Sequence, residues 1–326
     1  MLITRTPLRI SIAGGGTDLP SYYQKHGGFV ISAAINRYVY IALSRSFTPD
    51  YRLKYSKLEL TDTIDGIEHR IIREAFRMHE IQPGIEMVSV ADVPAGTGLG
   101  SSGSFTVGLV HALHALKQRP VDAETLAKEA VEIEMNRLSE PVGKQDQYIA
   151  AYGGLTCQEY FADGSVKISS LGMSDVAVRE LREGLMLFFT GYSRNASELL
   201  RDQKSKSLNN DSQMLDNLHF VKSLGLRIKD ALENNNPDAF GELMHEHWLH
   251  KKRRSASMSS QQIDDAYEHG RAHGAIGGKL VGAGGGGFLL FYTRDRRRLR
   301  RAMNEIGLHE MEVGFDFDGS TVLLRG

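Results

Sequence analysis

Val93-Pro94-Ala95-Gly96-Thr97-Gly98-Leu99-Gly100-Ser101-Ser102-Gly103-Ser104 is the stretch on which the reading of this 326-residue chain turns. Upstream, Ile85–Val90 reads as a strand. Downstream, Phe105, Val107, Leu109, Val110, Leu113 and Leu116 recur at helical spacing. A glycine-rich turn that opens a helix leaves backbone N–H groups free and aimed at one point. The helix dipole adds partial positive charge there, so the turn suits an anion, most often phosphate. Ser101 and Ser102 add hydroxyls for a metal or a phosphate.

Several glycine-loop readings compete. A Walker loop needs a lysine ahead of its final Ser/Thr, and none stands there. Gly98, Gly100 and Gly103 match the dinucleotide spacing, which would make the chain an NAD-dependent oxidoreductase. A Rossmann unit then needs a second strand ending in an acidic residue, whereas Arg119-Pro120-Val121-Asp122 leads into another helix. Gly282, Gly284 and Gly287 repeat the same spacing by chance in a chain with 34 glycines. A tight turn without a ligand is the plainest alternative.

Pro94-x3-Gly98-Leu99-Gly100-Ser101-Ser102 resembles the ATP-phosphate loop of the GHMP kinases, and two further stretches resemble that family's other motifs in order. Thr6–Asp18, with Arg9 and Asp18 nine residues apart, looks like its amino-terminal motif. Galactokinases carry Gly-Glu-His ahead of Thr-Asp where this chain has Gly14-Gly15-Gly16, which argues against galactose. Lys279-Leu280-Val281-Gly282-Ala283-Gly284-Gly285-Gly286-Gly287-Phe288 looks like its third motif. Ala13–Pro20, Val142–Tyr148 and Trp248-x-x-Lys251-Lys252 look like the branch acting on D-glycero-D-manno-heptose 7-phosphate at its anomeric (C1) hydroxyl. Fucokinase domains share much of this pattern.

The resemblance implies a two-lobed α+β fold, ribosomal-S5-like then ferredoxin-like, with the site in the cleft between the lobes. It implies ATP and Mg²⁺, and a sugar or sugar-phosphate acceptor. The product would be a 1,7-bisphosphate on the way to nucleotide-activated heptose. Pro94, Gly96, Gly98, Leu99, Gly100, Ser101, Ser102, Gly103 and Ser104 would bind the nucleotide phosphates. Gly15, Gly16, Thr17, Asp18, Gly284 and Gly285 would bind the acceptor.

Kinase chemistry asks little of a protein: positioned phosphates, a divalent cation, charge neutralisation and an oriented hydroxyl. Asp146 is the candidate for the hydroxyl, although an aspartate at a helix start is also a routine N-terminal charge. Arg9 supplies permanent positive charge beside it. Mg²⁺ takes oxygen ligands, and Ser102 and Glu134 are the candidates. Glu134 stands twelve residues ahead of Asp146, as the family's metal carboxylate does before its catalytic aspartate. Asp18 can accept from two sugar hydroxyls. A phosphorylated acceptor also needs a base at its far end, for which Lys251, Lys252, Arg253 and Arg194 are candidates. His245 and His247 point to different faces of a helix and do not converge easily, so the three histidines, with His250, read as surface or supporting residues near Trp248.

Composition limits the rest. With 39 basic against 40 acidic residues, bulk charge gives no reason to expect nucleic acid. The Arg294–Arg301 cluster reads as a solvated helix face. Cys157 stands alone, so it forms no intrachain disulfide, and its apolar neighbours mark a packed, inert thiol. No apolar run spans a membrane, and the first residues lack a signal-peptide layout, so a cytoplasmic enzyme is expected. The strand and helix signals mix as α+β rather than alternating βαβ. The expected lobes are 1–178 and 179–326, with the break inside 175–184.

Overall fold

The computed structural model of the chain describes residues 1–191, 201, 203, 205–207 and 211–325, so Arg194 lies outside it. The first part runs β1 (Leu2–Ala13), α1 (Pro20–His26), β2 (Gly28–Arg45), β3 (Tyr51–Lys54), β4 (Leu58–Thr61), α2 (Arg70–Met78) and β5 (Ile85–Ala91). It continues through α3 (Ser101–Leu116), α4 (Ala123–Val131, prolonged as a π turn over Glu132–Arg137), α5 (Gln145–Tyr152), β6 (Leu155–Tyr160) and β7 (Val166–Ser170). The second part runs α6 (Asp175–Gly184), β8 (Leu185–Phe189), α7 (Ser212–Glu233), α8 (Pro237–Lys252), α9 (Gln261–Ala272) and β9 (Ala275–Leu280). β10 (Phe288–Thr293), α10 (Arg296–Glu305), β11 (Glu310–Met311) and β12 (Thr321–Arg325) follow.

An eight-stranded sheet carries the order β12-β1-β2-β5-β3-β4, with β6 and β7 branching from β2. All its pairings are antiparallel except β3 with β5. That excludes the dinucleotide reading of the glycine loop, because β5 and α3 are not part of a βαβ unit. The second sheet is β11-β8-β10-β9, which gives the strand order of a ferredoxin-like lobe with α7–α9 and α10 as its crossovers. β1 runs unbroken through Pro7. Proline lacks an N–H, and the ladder absorbs this with a register shift between Pro7 and Leu8 against β2.

Leu8, Ile10 and Ile12 of β1 are fully buried in the larger core, together with Val107, Leu109, Val110 and Leu113 of α3. A second core joins Phe188, Trp248, Tyr267, Phe291 and Leu299. Two features depart from the expected lobes. The boundary at 178/179 falls inside α6, which packs on β8 and β10 and so belongs with the second sheet. The last strand, β12, returns to the first sheet beside β1. Among the described residues no helix is long and apolar enough to cross a membrane.

Candidate active site

The segment after β5 turns on three glycines with positive φ: Gly96 at 79°, Gly98 at 87° and Gly100 at 76°. Each lies in the left-handed region that costs an L-residue strain. Gly100 occupies the N-cap of α3 and offers no side-chain cap, so the first-turn amides stay available. The third motif's loop interlocks with this one. A Cβ on Gly98 would stand 2.8 Å from Val281 O, and one on Gly287 would stand 2.1 Å from Thr97 O. Free amides at a helix start, on a loop whose close packing admits only glycine at these positions, suit a triphosphate, so these residues fit ATP.

Together the two loops border a cavity of about 470 Å³. From the phosphate loop, Gly96, Gly98, Gly100, Ser101 and Ser102 reach its wall. The other letters of that motif serve the backbone. Pro94 O accepts from Thr97 Oγ1 at 3.0 Å, and Leu99 is wholly buried while its carbonyl accepts from Arg9 N. Gly103 lets α3 approach α5, since a Cβ there would lie 2.7 Å from Asp146 Cβ. Ser104 Oγ ties the helix to Pro7 O at 2.7 Å.

Arg9 and Asp146 meet as a fork. Arg9 Nε donates to Asp146 Oδ1 at 2.7 Å, and Nη2 donates to Oδ2 at 2.9 Å. Arg9 Nη1 also donates to Gly98 O, which ties the pair to the phosphate loop. Glu134 is buried on the π turn, where it accepts from Ser102 Oγ and from Gln147 Nε2. Burial, and then the Asp146 charge, push its carboxyl up to about 7. A hydroxyl and a carboxyl in direct contact, one of them held back from ionising by burial, are an oxygen donor set that suits Mg²⁺.

Asp18 faces the cavity after the Gly14–Thr17 turn. Its Oδ1 accepts from Gly16 N at 3.0 Å, and its Oδ2 from Gln145 N at 3.3 Å. Gly143 must be glycine, because a Cβ would sit 1.9 Å from Asp18 Oδ2. Burial, and then the Asp146 charge, raise the Asp18 carboxyl. Gly15 and Gly16 also line the wall. Thr17 does not; its hydroxyl lies 2.8 Å from Gly14 O and 2.9 Å from Phe29 O and pins the turn. Gly284 and Gly285 are likewise off the wall. Gly284 packs on Met258, Gly285 N donates to Met258 O, and Gly282 and Ala283 take their place in the cavity.

Of the basic candidates among the described residues, Lys251 alone reaches the cavity. Lys252 pairs with Asp264 at 3.1 Å and lies over the Trp248 ring, and Arg253 is exposed. Two cations that the sequence did not mark stand beside Lys251: Arg254 and Lys279, both buried. Lys279 was visible as a lone charge in an otherwise apolar and glycine strand. The histidines diverge as expected, His245 to Tyr267 Oη at 2.7 Å and His250 stacked on Phe220 at 3.5 Å. His247 takes the supporting alternative, buried on the cavity wall against Lys279. Cys157 is buried, with its thiol pushed up to about 12 by burial, and is inert. Two of the five arginines of α10, Arg296 and Arg300, pair with Glu310.

Residues 66–154 match the GHMP kinases N terminal domain, and residues 228–308 match the GHMP kinases C terminal domain. Over 316 residues, covering 90% of each chain, the sequence is 30% identical to D-glycero-alpha-D-manno-heptose 7-phosphate kinase of Campylobacter jejuni. It is 23% identical, over 93% of its length, to the bifunctional fucokinase/GDP-fucose pyrophosphorylase of Arabidopsis thaliana, and spans 31% of that protein. Its fold matches a crystal structure of a D-glycero-D-manno-heptose 1-phosphate kinase from Bacteroides thetaiotaomicron with a TM-score of 0.81, at 25% identity, over all of both chains. A Lactococcus lactis galactokinase complexed with galactose matches with a TM-score of 0.77 at 15% identity, over 98% of this chain and 94% of that one.

Proposed function

We propose that this chain, which belongs to the GHMP kinase family, is an ATP- and Mg²⁺-dependent kinase for the anomeric hydroxyl of D-glycero-D-manno-heptose 7-phosphate. Membership makes it a phosphotransferase with an alcohol-group acceptor, in a family that uses ATP as donor. The likeness to the two heptose phosphate kinases supports the acceptor, and one observation supports phosphoryl transfer at this site. The Arg9–Asp146 fork stands between the phosphate loop, through Gly98 O, and Asp18, through the shared α5 start at Gln145.

Bound Mg²⁺–ATP would supply the phosphoryl group and neutralise part of its charge, with Ser102 and Glu134 holding the metal. Asp146 would orient the acceptor hydroxyl and take its proton as that oxygen bonds the γ-phosphorus and the bond from phosphorus to the departing ADP oxygen breaks. A loose transition state asks for little proton transfer before attack, so orientation is the larger share of that role. Arg9 offsets the negative charge on the transferring oxygens and keeps the Asp146 carboxylate in place. Amides at the start of α3 hold the donor phosphates. Asp18 accepts from two neighbouring sugar hydroxyls, which sets the stereochemistry of the acceptor. The two lobes, divided ahead of α6, would bind donor and acceptor across the cleft. We place this work in a reducing, cytoplasmic setting, which a single buried thiol supports.

The test is coupled ADP release with Mg-ATP over D-glycero-D-manno-heptose 7-phosphate, the free heptose, mannose, L-fucose and galactose. Turnover of the 7-phosphate to the 1,7-bisphosphate, and little of the rest, supports the reading. Preference for L-fucose or another free sugar removes the heptose phosphate and leaves the kinase.

A further inference from the structure

We infer that Lys251, Arg254 and Lys279 form a subsite for a phosphomonoester carried by the acceptor, away from its reacting hydroxyl. The inference rests on the proposed sugar-kinase reading and adds the residues that would recognise the substrate's own phosphate.

The three cations come from the end of α8, the turn after it, and β9, and all line the one cavity. They are 6%, 8% and 2% exposed in that order. None has a carboxylate at ion-pair distance among the described residues. Lys251 Nζ donates to Leu280 O at 2.9 Å and Gly282 O at 2.6 Å. Lys279 Nζ donates to Ile12 O at 2.7 Å and contacts His247 Nδ1 at 3.4 Å. Arg254 Nε donates to Asn217 Oδ1 and Nη1 to Gly15 O, while its Nη2 is buried without a partner among the described residues. An ammonium has three donors and a guanidinium five, so all three groups keep capacity for a ligand.

Charge on the wall points the same way. Arg9 is matched by Asp146 and Arg70 by Glu140. Among the described residues that leaves three cations facing Asp18 as the one remaining wall carboxylate, an excess that fits a dianion. Burying like charges together is costly without a counter-ion. Lys251 shows the cost: burial, then the charges of Arg254 and Arg9, push it down to about 7. Lys279 is also driven well below its ordinary range, by burial and then Lys251. His247, lowered by burial and Lys279, adds no charge of its own. A bound phosphate would reverse these terms.

Position separates Arg254 from the nucleotide's phosphates, while Lys251, bonded to Gly282 O, stands between it and the glycine loops. Arg254 bonds Gly15, and a Cβ on Gly16 would meet Arg254 Nη1 at 3.1 Å. Both glycines belong to the turn that presents Asp18, so Arg254 lies on the acceptor's side of the cavity.

Two measurements test the subsite. The first is the ratio of kcat/KM for heptose 7-phosphate over free heptose in wild type, Arg254→Gln, Lys279→Met and Lys252→Ala. Removing one charged partner should lower the ratio about a hundredfold in the first two variants. Lys252→Ala, which alters an exposed pair outside the cavity, should keep it. A wild-type preference that survives Arg254→Gln and Lys279→Met overturns the subsite and leaves the substrate reading intact. The second measurement does not depend on which sugar is used. With a non-hydrolysable ATP analogue holding the glycine loops, inorganic phosphate should raise the melting temperature of wild type and of Lys252→Ala, and not of Arg254→Gln. No rise in wild type overturns the subsite. A rise without turnover of any heptose supports the subsite and refutes the heptose.

Discussion

Asp146→Asn removes one negative charge from the centre of the cavity while keeping the side chain's size. Arg9 now donates to both oxygens, at 2.7 and 2.9 Å. Asparagine keeps one acceptor and turns an NH₂ toward the guanidinium, so one bond is lost. A charge-assisted bond contributes about 1.5–3 kcal/mol, and the Asp146 side chain is 26% exposed, which screens part of it. The expected loss of stability is therefore about 1–2 kcal/mol, a fall of a few degrees in Tm. Arg9 keeps its bonds to Gly98 O and, through its main chain, to Leu99 O, so the phosphate loop should hold its shape. Loss of the proton acceptor should lower kcat by about 10²–10⁴-fold. Coupled ADP release gives kcat, calorimetry with a non-hydrolysable ATP analogue gives donor affinity, and a thermal melt gives stability. Turnover within about threefold of wild type would refute the role of Asp146, because general-base loss alone should exceed that. A collapse of ATP affinity with the fold intact would instead make the fork a part of the nucleotide site.

Three other outcomes follow from the same geometry. Asp18→Asn should lower kcat/KM for the sugar by roughly a hundredfold, since a carboxylate that accepts from two hydroxyls loses half its acceptors. Mg-ATP affinity should be retained, and an unchanged kcat/KM would take Asp18 out of the acceptor site. Gly98→Ala places a Cβ 2.8 Å from Val281 O at a φ of 87°, so about 1–3 kcal/mol of strain and a raised KM for ATP are expected; a melt and KM at wild-type values would contradict the interlocked loops. Glu134 titrates near 7 in the free protein, and a metal must displace its proton below that value. Magnesium requirement should thus rise roughly tenfold between pH 8 and pH 6 in wild type and lose this slope in Glu134→Gln. A flat wild-type profile would remove Glu134 from the metal site.

The sequence carried the glycine loop and its helix because positive-φ turns and helical spacing are local properties, visible in residues 93–116 alone. It carried the lobes less well. β12 pairs with β1 from the far end of the chain, and no local signal records that partner. A helix at 175–184 was taken for a break because its few apolar contacts, Ala177 and Leu181, make a thin stripe. The site divided along the same line. Motif and spacing single out Arg9, Asp18 and Asp146, which line the cavity, and Glu134, which lies behind the wall against Ser102. Thr17, Leu99 and Ser104 belong to the same motifs, yet their contacts hold backbone. Burial tells the two groups apart only together with bonding direction, and neither is written in residue type. Arg254 and Lys279 escaped because a buried cation looks like a surface one until tertiary structure covers it.

That last distinction bears on how the cavity is built. Ordinary packing would bury apolar groups beside β9 and the end of α8, and Trp248, Phe291 and Leu280 do so one face away. Lysine and arginine at 251, 254 and 279 make the ligand-free protein less stable than an apolar wall of equal volume would. Their carbonyl partners fix each head group without neutralising it. Donors held in place before the ligand arrives lose little freedom on binding, and in a water-poor cavity each charge counts for more than it would in solvent. The expected consequence is a trade of resting stability for recognition. Lys279→Met should lose the phosphate-dependent rise in Tm yet melt no lower than wild type without ligand, since one buried charge and its repulsion with Lys251 are gone. Against this, Ile12 O loses its donor, at about 1–3 kcal/mol. A variant that melts far below wild type, with the phosphate effect intact, would mean that Lys279 is a structural pin for β1 rather than a charge kept for an anion.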